Sequence, residues 1–179
     1  PAPIIAGMST PYDLILRGGT AWGAGGPIAG DIAMRSGRIV AIGEVAGDAM
    51  RVIDASGKLI LPGGVDVHAP IEPRHGMGGM NADTFETATR SAAMGGTTSV
   101  ISFAAQAKGQ SLREAVAEYQ VRARRGASID HAFHIMVTDP SVPGFADDLR
   151  VLVEAGHRSV KVFTTYDIRL DDGEILGVM

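Results

Sequence analysis

The feature of this sequence that most restricts its fold is a strand–loop–helix rhythm that recurs after the Pro62-Gly63-Gly64 segment. Predicted strands begin near residues 65, 97, 131 and 159, a spacing of roughly 30 residues that is typical of βα units with a parallel sheet. Four such units make half of a (β/α)₈ barrel. Because a four-stranded parallel sheet with an open edge leaves unpaired backbone groups and bare apolar faces, we expect a fragment or an incomplete chain.

Capping patterns predict where the helices between these strands begin. Asp83 with Glu86 predicts one helix start, and Ser111 with Glu114 predicts the next. A last helix is predicted to begin at Asp171. The glycines predicted to end the first three helices are Gly95, Gly126 and Gly156.

Residues 12–61 have a different pattern, in which short strands alternate with turn residues. The Ser36-Gly37 pair is flanked by alternating apolar positions, which predicts a hairpin. The Gly18-Gly19 and Ser56-Gly57 pairs are interpreted as further turns. The predicted architecture is α/β: a flexible N-terminus (1–11), a small β-sandwich-like domain (12–61) and the first half of a TIM barrel (62–179).

Composition excludes several classes of function. The chain has no cysteine, which excludes a disulfide scaffold, thiolate-ligated metals and thiol catalysis. A net charge of −4 provides no basic surface for nucleic acid or an anionic membrane. No apolar run approaches the ~18 residues of a spanning helix, and residues 1–10 lack the cationic start of a signal peptide. We therefore predict a cytoplasmic protein with neither nucleic-acid nor membrane partners.

Asp66 and His68 are the first candidates for chemistry. They lie two residues apart on a predicted strand and therefore share a face. If their apolar neighbours face the helices, both side chains face the barrel interior near its C-terminal mouth, where active sites of this architecture lie. A lone histidine on a strand is more often structural than a ligand. The apolar neighbours are Val65, Val67 and Ala69.

Lys161 provides a second candidate, on the fourth predicted strand. Its flanking residues, Val160 and Val162, take the helix side, which directs the amine towards the barrel interior. Burial favours the neutral amine. A neutral amine can add carbon dioxide to form a carbamate, which acts as a carboxylate that bridges two divalent metals. The alternative is a lysine that extends to solvent from a strand end.

Three separated segments carry a resemblance to a known family. They are Leu61–His68, Gly95–Ala104 and Val160–Tyr166. In order and spacing they resemble the dihydropyrimidinase/D-hydantoinase family of the amidohydrolase superfamily, and the N-terminal β-domain is also similar. The resemblance covers nearly all of residues 12–179 and implies the N-terminal portion of such an enzyme.

The resemblance implies hydrolysis of a cyclic amide, namely a hydantoin, a dihydropyrimidine or a related imide, at a two-metal centre that is usually zinc. By position, His68 corresponds to the first histidine of the family's His-x-His pair, and Lys161 to the carboxylated lysine that bridges the metals. Tyr166 corresponds to the tyrosine that stabilises the oxyanion. The loop 72–80 corresponds to a segment that closes over substrate, and relatives commonly form homotetramers.

One position departs from the family's pattern. The second histidine of the pair falls on Pro70, which has no side-chain donor for a metal. His68 and Lys161 are fewer than the three protein ligands of a typical catalytic zinc, so we expect this chain to bind metal weakly or not at all.

Three alternatives follow from this departure. The chain belongs to a cyclic amidohydrolase, or to a metal-free paralogue that acts as an assembly or regulatory subunit, or residues of an ordinary enzyme were lost or altered. Pro70 favours the paralogue, whereas Lys161 and Tyr166 favour the enzyme.

The remaining histidines are weaker candidates. His131 and His134 lie three residues apart on a predicted strand, so they face opposite sides and cannot share a metal. His75 lies in the loop rich in glycine and methionine, where it contacts substrate or is solvated. His157 follows a predicted helix end, where a cation suits the helix dipole.

Overall fold

A computed structural model describes residues 11–72 and 81–179. The chain divides into two compact units, Pro1–Pro62 and Gly63–Met179. Apart from Pro11, the predicted flexible N-terminus lies outside the described residues. In the described ranges, none of the helices combines the length and apolar character that crossing a membrane requires.

The first unit contains a mixed sheet, which is five-stranded in the part of the chain described. Its strands are β1 (Tyr12–Gly23), β2 (Gly26–Arg35), β3 (Arg38–Gly43), β4 (Ala49–Asp54) and β5 (Leu59–Ile60). The order is β3-β2-β1-β4, and β5 pairs with β1 beyond β4. Strands β1, β2 and β3 pair antiparallel, whereas β4 and β5 run parallel to β1. Ile15, Ala33 and Val45 form its small core.

The hairpin predicted at Ser36-Gly37 is confirmed. These residues connect β2 to β3 with φ values of 51° and 72°, the left-handed conformation that a two-residue hairpin turn requires. The turn predicted at Ser56-Gly57 is also confirmed.

The turn predicted at Gly18-Gly19 is wrong, because β1 continues through this pair. The pairing of β1 with β2 shifts between Leu16 and Gly19, so the glycines form a bulge within a long strand. Asp31 holds the bulge: its carboxylate accepts the Gly18 N–H at 2.9 Å and pairs with Arg17. The side chain that stabilises the bulge is therefore remote in sequence from the glycines.

The second unit is the predicted half-barrel, a curled sheet of four parallel strands in the order β6-β7-β8-β9. The strands are β6 (Gly64–Asp66), β7 (Thr97–Ala105), β8 (Asp130–Met136) and β9 (Val160–Lys161). The helices are α1 (Phe85–Met94), α2 (Leu112–Gly126), α3 (Phe145–Glu154) and α4 (Asp172–Val178). The α/β fold class predicted from the sequence is confirmed.

Local capping explains where these helices begin. The capping boxes predicted at Ser111 for α2 and at Asp171 for α4 are both present. The start predicted for α1 is wrong by one residue, since Thr84 is the N-cap and exchanges hydrogen bonds with Thr87. Asp83 instead accepts a hydrogen bond from the Thr87 hydroxyl at 2.9 Å. Two adjacent residues of good capping type competed for this role.

The helices pack on one face of the parallel sheet. Val100 and Ala104 of β7 and Phe133 and Ile135 of β8 are buried there. Residues that alternate with them, such as Phe103, project from the opposite face. The core on the helix side also includes Phe85, Leu112, Val116, Tyr119, Ala123, Val137, Phe145 and Leu152.

Strand β6 departs from the predicted alternation. We expected Val65 and Val67 to face the helices, but their side chains are 61% and 58% exposed, and only Ala69 joins the core. The reason is that β6 is short and its register with β7 shifts, which pairs Asp66 with the helix-facing Val100. After Asp66 the strand ends.

Candidate functional site

Three polar side chains from separate strands surround the ring of Phe103 on β7. The ring centre of His68, which follows β6, lies 4.9 Å from that of Phe103, and the ring centre of His134 on β8 lies 5.2 Å away. The Lys161 Nζ on β9 lies 4.5 Å from the same ring centre. We call these four residues the Phe103 cluster.

The strand register explains why the cluster forms. Phe103 pairs with His134, and Met136 pairs with Lys161. Paired residues of a parallel ladder share a face, as do residues two apart on one strand. Since Ala104 is buried on the helix side, the cluster lies on the face opposite the helices.

A turn at the end of β6 orients His68, the remaining member of the Phe103 cluster. The Asp66 carboxylate accepts the backbone N–H of His68 at 2.9 Å, a local side-chain-to-backbone turn that interrupts the strand. The imidazole of His68 then meets the Phe103 ring edge to face, with an interplanar angle of 68°. Although β6 departs from regular alternation, His68 still reaches the concave face.

Lys161 is held between two aromatic rings. Its Nζ lies 4.7 Å from the centre of the Phe163 ring, in addition to its contact with Phe103. A cation over an aromatic face gains about 0.5–1 kcal/mol even at exposed sites. The two rings therefore hold the end of the Lys161 side chain in place.

Comparison with known proteins finds relatives that are similar in both sequence and fold. A D-hydantoinase of Rhizobium radiobacter is 43% identical over 154 residues, which are 86% of this chain and 33% of that protein. A solved D-hydantoinase structure is 40% identical with a TM-score of 0.88, covering 93% of this chain and 36% of that one. This chain matches the N-terminal part of the dihydropyrimidinase/D-hydantoinase family.

The match is partial in length on the relatives' side. A solved dihydropyrimidinase from Brevibacillus agri is 38% identical with a TM-score of 0.82, covering 90% of this chain and 35% of that one. The chain thus spans about a third of the length of the relatives it matches. No family model matches the chain.

Pro70 stands where the resemblance to the D-hydantoinase family places a second histidine. Its side chain is exposed, and its carbonyl accepts a hydrogen bond from the Asn81 amide at 3.3 Å. Within the ranges 11–72 and 81–179, no three histidine, aspartate or glutamate side chains gather as a potential metal site. The residues present thus fit the family's metal centre only in part, with an imidazole at His68 and an amine at Lys161.

Tyr166 lies apart from the Phe103 cluster. It is 73% exposed, and its ring centre lies 6.0 Å from that of Phe163, which in turn contacts Lys161. Its φ of 65° places a non-glycine residue in the left-handed region, a conformation that concentrates at functional sites. The role that the D-hydantoinase family resemblance assigns to this hydroxyl stays a prediction.

His134 and Phe103 are members of the cluster that sequence reasoning missed. The prediction that His131 and His134 face opposite sides is confirmed, since the His131 ring lies near the helix-side Phe85, at 6.4 Å between centres. The spacing of residues within one strand does not determine the register between strands. That register places His134 beside Phe103 and on the same face as Lys161. His75 and residues 73–80 of the predicted substrate loop lie outside the described residues.

Proposed function

We propose that the protein containing this chain hydrolyses a cyclic amide, namely a hydantoin, a dihydropyrimidine or a related imide, at a carbon–nitrogen bond that is not a peptide bond. The identity to proteins named D-hydantoinase supports this proposal. The observation that carries it is the approach of His68 and Lys161 to one ring, because the resemblance assigns metal binding to both positions.

The proposed cofactor is a divalent metal pair, zinc by resemblance to the family. His68 would donate through its imidazole, and Lys161 would donate as a carbamate after carboxylation of its amine. Such metals lower the pKa of water and polarise the amide carbonyl. The described donors are fewer than the three of a typical catalytic zinc site, so we propose that this chain alone binds metal weakly or not at all.

The chain's own residues would contribute orientation and charge stabilisation. The turn at Asp66 and the edge-to-face contact with Phe103 fix where the His68 imidazole points. The rings of Phe103 and Phe163 fix the end of the Lys161 side chain. The Tyr166 hydroxyl would donate a hydrogen bond to the negative charge that develops on the amide oxygen.

A second candidate function is a metal-free paralogue that serves as an assembly or regulatory subunit. Pro70 favours this alternative, because it removes one donor from the site. The two candidates differ in metal content and in the fate of a hydantoin, so a single preparation distinguishes them.

The test measures bound metal by elemental analysis and ring opening of hydantoin, in the whole protein that contains this chain, prepared with bicarbonate. The enzyme proposal expects bound divalent metal and turnover, both lost in Lys161→Ala and both retained in Lys108→Ala, an exposed lysine of the same unit. Metal content unchanged by Lys161→Ala would contradict the carbamate. Wild-type protein with neither metal nor turnover would support the paralogue.

We further propose a homotetramer, as the resemblance to the family implies, and a cytoplasmic location, as predicted from the sequence. Light scattering of the protein checks the assembly, with a monomer contradicting it. Cell fractionation checks the location.

A further inference from the structure

His134 makes a hydrogen bond with each of its ring nitrogens. Nε2 lies 2.8 Å from the backbone carbonyl oxygen of Val67, and Nδ1 lies 2.6 Å from the hydroxyl oxygen of Ser159. Val67 immediately precedes His68, and Ser159 immediately precedes β9, which carries Lys161. One imidazole therefore connects the two chain segments that carry the proposed metal ligands.

The chemistry of the two partners determines where the protons lie. A carbonyl oxygen can only accept a hydrogen bond, so Nε2 of His134 carries a hydrogen. In the neutral ring Nδ1 then has a lone pair, and the Ser159 hydroxyl donates to it. The Nε2–H tautomer satisfies both contacts, and the Ser159 hydroxyl is oriented by the same ring.

The contact with Val67 joins strands that are not neighbours. The sheet order places β7 between β6 and β8, so the His134 side chain passes over β7 to reach the end of β6. It does so across the Phe103 ring, with ring centres 5.2 Å apart and planes inclined by 30°. Because the sheet is curled, its concave face brings these alternate strands within reach of one side chain.

Few main-chain hydrogen bonds hold these segments. Strand β6 comprises only Gly64–Asp66 and β9 only Val160–Lys161. Beyond β6, the Ala69 N–H donates to the Ile101 carbonyl at 3.2 Å, and the carbonyls of Ser159 and Lys161 each accept one N–H from β8 or the residue after it. The hydrogen bonds of His134 add side-chain links to this short main-chain pairing, one at Val67 and one at Ser159.

We propose that His134 is a positioning residue. Its two hydrogen bonds hold the segment that follows β6 and the segment that precedes β9 so that His68 and Lys161 both reach the Phe103 ring. The expected effect on metal binding rests on the proposed function, whereas the effect on side-chain placement does not. The experiment can therefore contradict the positioning role of His134 without contradicting the proposed metal site, and the reverse.

The main test replaces His134 with leucine, which removes both hydrogen bonds and keeps an apolar side chain of similar bulk. The control is His131→Leu, a histidine of the same strand that lies on the helix face near Phe85 and Phe133. NMR of the metal-free protein measures the ring-current shifts that Phe103 imposes on the ε-methylene protons of Lys161 and the ring protons of His68. Calorimetric titration with zinc measures affinity in the same variants.

The proposal expects those shifts to move towards unstructured values in His134→Leu and to stay unchanged in His131→Leu. Zinc affinity should fall by roughly 10- to 100-fold, as is typical when a residue that orients metal ligands is removed. Wild-type protein should show the Nε2–H tautomer of His134 in long-range proton–nitrogen NMR. The opposite tautomer would overturn the proposal.

Two further variants keep the test decisive if His134→Leu does not fold. His134→Gln keeps a donor near the Val67 carbonyl and should retain part of the zinc affinity and of the His68 shifts. Ser159→Ala removes only the second hydrogen bond and should move the Lys161 signals more than those of His68. Variants with wild-type shifts and wild-type affinity would overturn the positioning role. If the whole wild-type protein that contains this chain binds no zinc and the variants still show displaced shifts, the proposed metal site is overturned and the positioning role is supported.

Discussion

His68 and Lys161 contact the same aromatic ring, although His68 follows the first strand of the four-stranded parallel sheet and Lys161 lies on the last. The ring is that of Phe103, whose side chain is almost completely buried, with 7% exposure. A nearly flat sheet would hold these two side chains several strand spacings apart, each of about 4.8 Å. That both side chains reach the Phe103 ring is therefore a consequence of the curl of the sheet.

Replacing Phe103 with leucine should weaken the cluster in two ways. The variant removes the edge-to-face contact with His68 and one of the two rings around Lys161. We expect a loss of about 1–2 kcal/mol in the free energy of unfolding, on the order of a small core deletion, and weaker zinc binding. Denaturant unfolding and calorimetry measure these quantities. The control is Phe163→Leu, which removes only the other ring and should leave the His68 ring signals unchanged. If both variants changed the His68 signals equally, the central place of Phe103 in the cluster would be contradicted.

Replacing Pro70 with histidine should raise zinc affinity. The exchange adds an imidazole two residues after His68, at the position where the resemblance places a second histidine. A third donor would complete the usual minimum for a catalytic zinc. Zinc titration measures the gain against Pro27→His, a substitution in the other compact unit. If the affinity of Pro70→His matches that of this control, the alignment of Pro70 with the missing ligand is wrong.

Replacing Arg113 with glutamine should destabilise the second unit. Its Nε donates to the carboxylate of Asp148 at 2.5 Å, and the Asp148 side chain on α3 is only 4% exposed. Because the buried acceptor would lose its charged partner while Arg113 itself is largely exposed, we expect a loss of about 1–2 kcal/mol in the free energy of unfolding.

The matched control is Arg150→Gln, which breaks exposed ion pairs of α3 with Asp147 and Glu154. Exposed pairs contribute little to stability because solvent screens them, so this variant should unfold close to wild type in urea. Equal destabilisation by both substitutions would show that burial of Asp148 does not decide the outcome.

Replacing Asp31 with asparagine should change how the stability of the first unit depends on pH. The Gly18 amide that donates to Asp31, and then the Arg17 guanidinium beside it, hold the pKa of this carboxyl below its ordinary value of 3.8. A lowered pKa in the folded state contributes stability above the ordinary pKa, and that contribution is lost as the pH falls through the folded value. The difference between wild type and variant should therefore be largest near neutral pH and shrink below about pH 3.8.

Urea unfolding of the protein at several pH values, followed by a signal from Trp22 in β1, measures this difference. The exposed Glu44 provides the comparison, as Glu44→Gln. A gap between Asp31→Asn and wild type that stays constant from neutral to acidic pH would rule out the charge of Asp31 as its origin.

Local signals predicted much of the fold. The capping box at Ser111 and the hairpin at Ser36-Gly37 depend on residues a few positions apart, so the sequence contains all that determines them. The βα rhythm likewise follows from local periodicity, and it predicted the parallel half-barrel.

Features that depend on remote partners were not predictable in this way. The bulge at Gly18-Gly19 needs the carboxylate of Asp31, and glycine pairs more often mark turns than bulges. The place of His134 in the Phe103 cluster follows from inter-strand register, which periodicity within one strand does not determine. His68 and Lys161 were selected because their residue types suit metal chemistry, whereas the phenylalanine between them carries no such signal.

Strand β1 shares one edge between two partners in succession, β4 along its first half and β5 after the Gly18-Gly19 bulge. Little space is left where the partner of β1 changes from β4 to β5. A methyl group on Gly19 would come within 2.5 Å of the Ile60 side chain, and one on Gly18 would come within 2.9 Å of the Ser56 hydroxyl. A larger residue at Gly19 would therefore require the Ile60 side chain to move and would crowd Ala55, which directly follows β4. The two glycines thus leave room for the side chains of Ser56 and Ile60 at the point where the partner of β1 changes from β4 to β5.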